Sequence, residues 1–266
     1  MMSLHLDESM AHSRPIVTGR ELSLGYNHHA VFEGVSFDIH RGEILGIVGP
    51  NGSGKTTLLR TILGLLKPLR GQVERDAGLA ISYVPQRDRI DTILPVTALE
   101  VVLMGRAARA GALQRVHDAD RDAGLRALAL LGAEPLGPQP FRNLSGGQQQ
   151  RVLLARALAA DHTDVLVLDE PTAGMDAASE AGMLEFLRDL NRTRGVTMLI
   201  VTHMLPIVLN LATSIMLLGA RTVLHGTVDD VLREERLSEL YGVPVHLGIV
   251  AGQRTLVVGR RHAIDV

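Results

Sequence analysis

The hydrophobic pattern of the chain changes its period several times, and each change predicts a new element. Residues 16–38 alternate between apolar and polar positions in short pieces, which predicts antiparallel strands. Residues 43–48 form an apolar run between two glycines, as expected of a buried parallel strand. A helical stripe of apolar residues begins at Thr56, and Lys67 followed by Pro68 predicts its end.

The middle of the chain has a different composition and a different hydrophobic period. Residues 92–160 are rich in Ala, Leu and Arg at helical spacing and contain no convincing strand, which predicts a helical insertion. Beyond it, the pattern predicts a strand at 165–168, a helix at 177–190 and another strand from Val196. Near-continuous apolar strands that alternate with helices predict an α/β fold with a mostly parallel sheet, preceded here by antiparallel N-terminal strands.

The stretch of 26 residues from Gly195 to Ala220 has no Asp, Glu, Lys or Arg, and it is long enough for a membrane span. Polar residues such as Thr202 and Asn210 interrupt it, and polar groups are costly in lipid. The pattern also divides into an apolar strand, a polar turn, a short helix and a second strand at 214–218. We therefore favour a buried strand–helix–strand unit over the membrane span.

After Arg221 the elements become short. Two short helices, near 229–232 and 237–241, and one or two strands predict a small appendage. Residues 1–14 are polar and mixed in charge without an apolar core, so they read as a disordered leader or a tag remnant and not as a secretory signal. The predicted segments are a leader at 1–14, an α/β core at 15–91 and 161–221, a helical subdomain at 92–160 and an appendage at 222–266.

Composition narrows the class of protein. The net charge of −2 gives no electrostatic footprint for wrapping nucleic acid. The chain has no Cys, which excludes disulfides, thiolate metal sites and thiol catalysis. Lys55 and Lys67 are its only lysines among 27 basic residues, and we attribute the arginine bias to codon usage. The question that remains is whether either lysine stays because a compact ammonium is needed there.

A glycine-rich segment matches the phosphate-binding pattern G-x-x-x-x-G-K-[ST], with a strand before it and a helix after it. Its glycines allow backbone N–H groups to surround phosphate oxygens, and the helix N-terminus favours the negative charge. Lys55 would reach the β- and γ-phosphates of ATP, and Thr56 would offer a hydroxyl to Mg²⁺. The alternative is a glycine-rich turn that caps a helix. The predicted nucleotide-binding residues of this segment are Gly49, Pro50, Asn51, Gly52, Ser53, Gly54, Lys55, Thr56 and Thr57.

Two carboxylates follow the predicted strand at 165–168. Ligands of α/β sheets bind at the carboxyl ends of the strands, where Asp169 and Glu170 would emerge. Asp169 would hold Mg²⁺, and Glu170 would polarise the attacking water as a catalytic base. Strands often end in acidic residues, so this interpretation depends on the phosphate-binding segment.

The segment from Leu144 to Gln148 reads Leu-Ser-Gly-Gly-Gln. Ser145 with Gln148 three residues later predicts a helix N-cap and a capping box. Gly146 and Gly147 at a helix N-terminus also predict a second anion site. One nucleotide needs only one phosphate site in a chain. A second phosphate site in the same chain therefore has no use, unless two copies of the chain share their sites.

With these motifs the chain resembles the ATPase subunits of ABC transporters, over about residues 16–245. The Leu-Ser-Gly-Gly-Gln segment is the signature of that family. The resemblance implies that Tyr26 stacks on adenine, where the alternative is a buried turn tyrosine. It implies that Gln86 senses Mg²⁺ and links to the transmembrane partner. It also implies that Asp176 lies in a loop that crosses a dimer, and that His203 contacts the γ-phosphate as a catalytic residue.

The resemblance further implies a head-to-tail dimer around two ATP molecules, each between Lys55 of one subunit and Ser145 and Gly147 of the other. It implies a cytoplasmic protein, peripheral on the inner face of the cell membrane, with a separate permease, an extracytoplasmic substrate-binding protein and no nucleic acid. The chain departs from the family's sequence pattern at two places, which concern the coupling between the site and the permease. Met204 stands where many relatives carry Asp, and Gly174 and Met175 precede Asp176.

Residues 96–106 and 240–247 resemble the ATPases of zinc, manganese and iron or iron-chelate uptake systems, which predicts import of a metal ion or metal chelate. Two other classes stay open. One is a non-transport ABC ATPase of iron–sulfur assembly, translation or DNA repair, although such proteins usually carry paired ATPase domains, coiled-coil insertions or basic arms. The other is a soluble P-loop kinase, against which the signature and His203 argue.

Overall fold

The computed structural model describes residues 14–86, 95–110, 117–160, 162–219 and 221–259, with the backbone alone at residues 107–110. These residues form two compact units. One contains the residues up to Ala77 and from Ile200 onward, and the other contains Gly78–Leu199. The predicted leader lies outside the described residues except for Arg14. The predicted boundaries of core, subdomain and appendage stay a prediction.

The first unit begins with a three-stranded antiparallel sheet. Its strands are β1 (Pro15–Tyr26), β2 (His29–His40) and β4 (Arg70–Arg75), in the order β2-β1-β4. Asn27 and His28 join β1 to β2 with left-handed backbone angles, φ 47° and 66°, as a two-residue hairpin turn requires. The predicted antiparallel strands are therefore confirmed.

The strand β3 (Ile44–Val48) is buried at all five residues and leads through a glycine loop into helix α1 (Lys55–Ile62). The predicted end of this helix at Lys67 is wrong. Gly64 adopts a left-handed φ of 78°, and the Arg75 guanidinium donates to the carbonyl oxygens of Thr61 and, at 2.6 Å, of Ile62. These contacts stabilise the helix end four to five residues earlier than expected.

The stretch without charged residues folds as expected. It contains β7 (Thr197–Thr202), helix α6 (Leu205–Leu211) and β8 (Ser214–Leu218). The strand β8 pairs in parallel with β3. Within the residues that the structure describes, no helix is long and apolar enough to cross a membrane.

Within residues 221–259, which the structure describes, three strands and not one or two are present. The first, β9 (Val223–Thr227), pairs antiparallel with β8, which the pattern did not predict. The short helices α7 (Val228–Val231) and α8 (Glu234–Tyr241) lead to a two-stranded ribbon of β10 (Val245–Val250) and β11 (Gln253–Val258). Apolar residues of both helices and of the ribbon pack with Val48 in one buried cluster, so the tail shares the core of the first unit.

Helix side chains bind main-chain groups on both edges of this ribbon. The Asn210 amide accepts from the Arg254 N–H and donates to the Arg254 carbonyl, both at 2.9 Å. On the other edge, the N–H of Val245 donates to Ser238 Oγ at 2.8 Å, and the N–H of Leu247 donates to Glu234 Oε1 at 2.7 Å. Helix side chains thus occupy the main-chain groups of Arg254 and the N–H groups of Val245 and Leu247.

The second unit contains a parallel pair of strands, β5 (Ile81–Val84) and β6 (Val165–Asp169). Between them lie the helices α2 (Ala98–Ala110), α3 (Asp118–Leu130) and α4 (Gly146–Leu158). These three helices confirm the prediction of a helical insertion within residues 92–160. Helix α5 (Ala177–Arg194) follows β6 and is four residues longer than predicted, since Gly195 ends it in a left-handed conformation with φ 62°.

Candidate nucleotide-binding site

The glycine loop between β3 and α1 has the conformation that a phosphate cradle needs. Gly52 and Gly54 have left-handed φ angles of 80° and 92°, which other residues rarely adopt. A Cβ atom at Gly54 would lie 2.6 Å from the ring of Phe32, so only glycine fits there. Gly54 is also the N-cap of α1 and offers no side chain to the first N–H groups of the helix. The loop therefore presents a helix N-terminus without a side-chain cap.

The polar groups of this loop fit an anionic phosphate ligand. Lys55 Nζ donates to the carbonyl oxygens of Gly49 at 2.7 Å and Pro50 at 2.9 Å, so its ammonium lies across the loop. Within the part of the chain that the structure describes, Ser53 Oγ is buried without a hydrogen-bond partner. A buried hydroxyl without a partner costs free energy, which a phosphate oxygen would recover.

Tyr26 lies at the end of β1, beside helix α1. Its side chain is 41% exposed, which contradicts the alternative of a buried turn tyrosine. A hydrogen bond with the Thr57 side chain and the nearby Arg60 guanidinium lower the pKa of Tyr26. The structure thus brings Tyr26 close to the helix that begins in the glycine loop.

The second unit holds the predicted carboxylates. Asp169 is the last residue of β6 and is 8% exposed, whereas Glu170 is half-buried with a left-handed φ of 51°. The Tyr83 hydroxyl donates to Asp169 Oδ2 at 3.0 Å. Sequence reasoning missed Tyr83, although it lies on the strand that leads to Gln86. Gln86 itself follows β5 and is half-buried.

The signature segment forms the N-terminus of α4, as predicted. Ser145 Oγ accepts from the N–H of Gln148 at 3.4 Å, and Gln148 Oε1 accepts from the N–H of Ser145 at 2.9 Å, which confirms the capping box. Ser145 is exposed, and Gly146 and Gly147 are half-buried. A Cβ atom at Gly147 would lie 3.8 Å from Ser179, so this turn adjoins the first turn of α5.

Asp176 has a structural task that sequence reasoning missed. It is the N-cap of α5, and its carboxylate accepts from the N–H of Ser179 at 2.8 Å and from the Ser179 hydroxyl at 3.1 Å. These hydrogen bonds hold the pKa of Asp176 below its usual value. The signal was present, since Asp directly before a helical pattern is typical of an N-cap. His203 follows β7 in the first unit and is exposed.

Strand, glycine loop and helix, with a lysine at the first helical position, define a P-loop nucleotide-binding protein of the α/β class. A family model described as ABC transporter matches residues 32–173, which is more than half of the chain. The chain belongs to the ABC transporter family.

Relatives and solved structures agree with this assignment. The chain is 38% identical over 227 residues to the manganese transport system ATP-binding protein MntB of Bacillus subtilis, which covers 83% of this chain and 90% of the relative. It is 34% identical over 230 residues to the zinc import ATP-binding protein ZnuC of Pseudomonas entomophila, with coverages of 86% and 85%. A structure of an inward-facing metal-chelate type ABC transporter superposes with a TM-score of 0.84 at 29% identity, over 93% of this chain and 98% of that one.

These comparisons confirm the predicted family and the predicted α/β P-loop fold. The protein is an ATP-binding subunit and an ATPase of the family. The soluble kinase is therefore excluded.

Proposed function

We propose that this ATPase energises the import of a metal ion or metal chelate through a separate membrane permease. The observation that carries the proposal is the similarity, over more than four fifths of the chain, to ATP-binding proteins named for manganese transport and zinc import. The similarity in structure to a metal-chelate type transporter supports the same cargo class. We place the protein in the cytoplasm, peripheral on the inner face of the cell membrane, with an extracytoplasmic substrate-binding protein delivering the cargo.

The chemistry that we propose follows from the groups described above. Backbone N–H groups of the glycine loop and the ammonium of Lys55 bind the phosphates, and Ser53 Oγ gains the partner that it lacks. Hydroxyl and carboxylate oxygens are the ligands that Mg²⁺ prefers, and Thr56 and Asp169 supply them. When bound, Mg²⁺ neutralises charge on the β- and γ-phosphates.

Turnover then depends on residues around the γ-phosphate. We assign Glu170 as the base that orients and polarises water, because phosphoryl transfer depends on positioning and charge stabilisation. His203 would contact the γ-phosphate, Gln86 would sense the metal and signal to the permease, and Tyr26 would stack on adenine. Two features support these roles. Tyr26 is exposed beside α1, and Glu170 is held in a backbone conformation that non-glycine residues seldom adopt.

A second copy of the chain completes the site in our proposal. Ser145 and Gly147 would contact the γ-phosphate of ATP that is bound to Lys55 of the other subunit, with Asp176 in the loop between the subunits. The exposure of Ser145 supports this role, because the residue is accessible at the start of a 13-residue helix. The helix N-terminus favours a nearby anion.

The experiment is metal uptake in a strain that lacks this chain, with radioactive zinc, manganese and iron supplied separately. We expect uptake of one of them to fall to background and to return with the wild-type chain, but not with Glu170→Gln, which removes the proposed base. Unchanged uptake of all three would contradict the metal cargo. Co-purification with ribosomes, DNA or a soluble scaffold, and not with a polytopic membrane protein, would favour the non-transport alternative.

A further inference from the structure

The hydrogen bond from Tyr83 reaches the carboxylate to which we assign the metal. β5 and β6 are parallel, with Tyr83 opposite Val167. Because side chains alternate between the faces of a sheet, Val167 and Asp169 lie on the same face as Tyr83. The phenol extends two residues along β6, and its hydroxyl donates to Asp169 Oδ2 at 3.0 Å.

Burial makes this contact consequential. Asp169 is 8% exposed, so little water is available to hydrate its carboxylate or to fix its rotation. A hydrogen bond to an ionised acceptor is stronger than one between neutral groups. The bond to Oδ2 therefore restrains the rotation of the carboxylate.

The chemical type of the donor matters as much as its position. A lysine or arginine in place of Tyr83 would also fix the carboxylate, but its positive charge would oppose a divalent cation. The neutral phenol orients the carboxylate without cancelling its charge. The side chain is also 40% exposed, so burial of the ring alone is a weak reason for tyrosine at this position.

We propose that Tyr83 is a positioning residue for the metal that accompanies ATP, acting through Asp169. Its hydroxyl binds Oδ2 and so restrains the carboxylate that would ligate the metal. Hydrogen-bond partners of metal ligands typically tune affinity in this way. The inference rests on the proposed function, in which Asp169 ligates Mg²⁺.

The test compares Tyr83→Phe with Tyr241→Phe, a matched control that removes a hydroxyl from the half-buried tyrosine of α8. The probe is Mn²⁺, followed by electron paramagnetic resonance in the presence of a non-hydrolysable ATP analogue. We expect Tyr83→Phe to weaken Mn²⁺ binding about 10-fold, and Tyr241→Phe to leave it unchanged. The Mg²⁺ concentration for half-maximal ATPase activity should rise by a similar factor, whereas kcat at saturating Mg²⁺ should change far less.

Two further measurements separate positioning from a structural role. Binding of the ATP analogue in EDTA should be unaffected by Tyr83→Phe, since no metal is present. Mn²⁺ affinity equal to that of the wild type would overturn the inference, whatever happens to the melting temperature.

The same experiment separates this inference from the proposed function. Asp169→Asn should lose more Mn²⁺ affinity than Tyr83→Phe does. A wild-type protein without nucleotide-dependent Mn²⁺ binding would refute the proposed metal role together with the inference. Normal wild-type binding with an unaffected Tyr83→Phe variant would refute the inference alone.

Discussion

Two helices of this protein begin in glycine-rich turns, and their first turns are built differently. α1 begins after Gly54, which has a left-handed backbone and no side chain to cap the helix. α4 begins after Ser145, which has an extended backbone and accepts from the N–H of Gln148. The N-cap residue of the first helix thus offers no side-chain acceptor, whereas that of the second helix does.

The difference assigns separate tasks to two similar sequence patterns. A helix N-terminus without a side-chain cap favours an anion, so the turn before α1 is suited to hold phosphate by itself. Its helix is secured at the other end, where Arg75 donates to the last carbonyl oxygens. The turn before α4 is stable without a ligand. It is therefore suited to act as an additional contact, presented to a nucleotide that is already bound elsewhere.

Lys55→Ala has the largest expected effect and tests whether the turn before α1 holds the phosphate. Loss of the ammonium should reduce turnover by about 100-fold or more, because it removes charge stabilisation of the transferred phosphate. ATP affinity should fall as well, as measured with a fluorescent ATP analogue, beside phosphate release for turnover. Lys67→Ala is the matched control, since it removes the only other lysine, which is exposed. Undiminished ATP affinity in Lys55→Ala would contradict the assignment of the phosphate cradle.

Ser145→Ala tests whether the turn before α4 acts as an additional contact to the nucleotide. We expect turnover to fall about 10-fold, since a hydrogen bond to a charged group is lost. ATP affinity of the isolated subunit should not change. Loss of the cap alone costs about 1 kcal/mol of stability.

Thr227→Ala is the control for Ser145→Ala, because Thr227 caps α7 in the same way, by accepting from the N–H of Asp230. It should lower stability without lowering turnover. An equal loss of turnover in both variants would show that Ser145 acts only as a cap.

Arg75→Ala has the smallest expected effect on activity and tests the other end of α1. Loss of its hydrogen bonds to two carbonyl oxygens should lower the free energy of unfolding by about 1–2 kcal/mol. Turnover at 25 °C should stay within about 2-fold of the wild type, because the glycine loop is unchanged. Thermal melting is the measurement, with Arg70→Ala at the exposed start of β4 as the control. An unchanged melting temperature would mean that the helix end does not depend on Arg75.

The features that the sequence predicts well are local ones. The glycine loop, the buried strand before it and the capping box of Ser145 each depend on residues within a few positions of one another. The end of α1 depends on Arg75, 13 residues beyond Ile62, and the periodicity of the helix carries no trace of that contact. The apolar stripe therefore predicted a helix that was too long.

The contact between Tyr83 and Asp169 illustrates what local patterns omit. The two residues are 86 positions apart, and they meet because β5 pairs with β6 in one register. Sequence motifs identified Asp169, since an acidic residue after a buried strand is a local pattern. The side chain that orients it follows from strand pairing, which a single sequence does not specify.

The side chains bonded to the edges of the C-terminal ribbon bear on how the protein behaves when many copies are crowded together. Ile249, Val250 and Val257 expose aliphatic surface on the two strands. A ribbon of this kind with open edges is a template for strand addition between molecules, which leads to aggregation. Since the side chains of Asn210, Glu234 and Ser238 already bind main-chain groups of Arg254, Leu247 and Val245, strand addition at these positions would first have to break those hydrogen bonds.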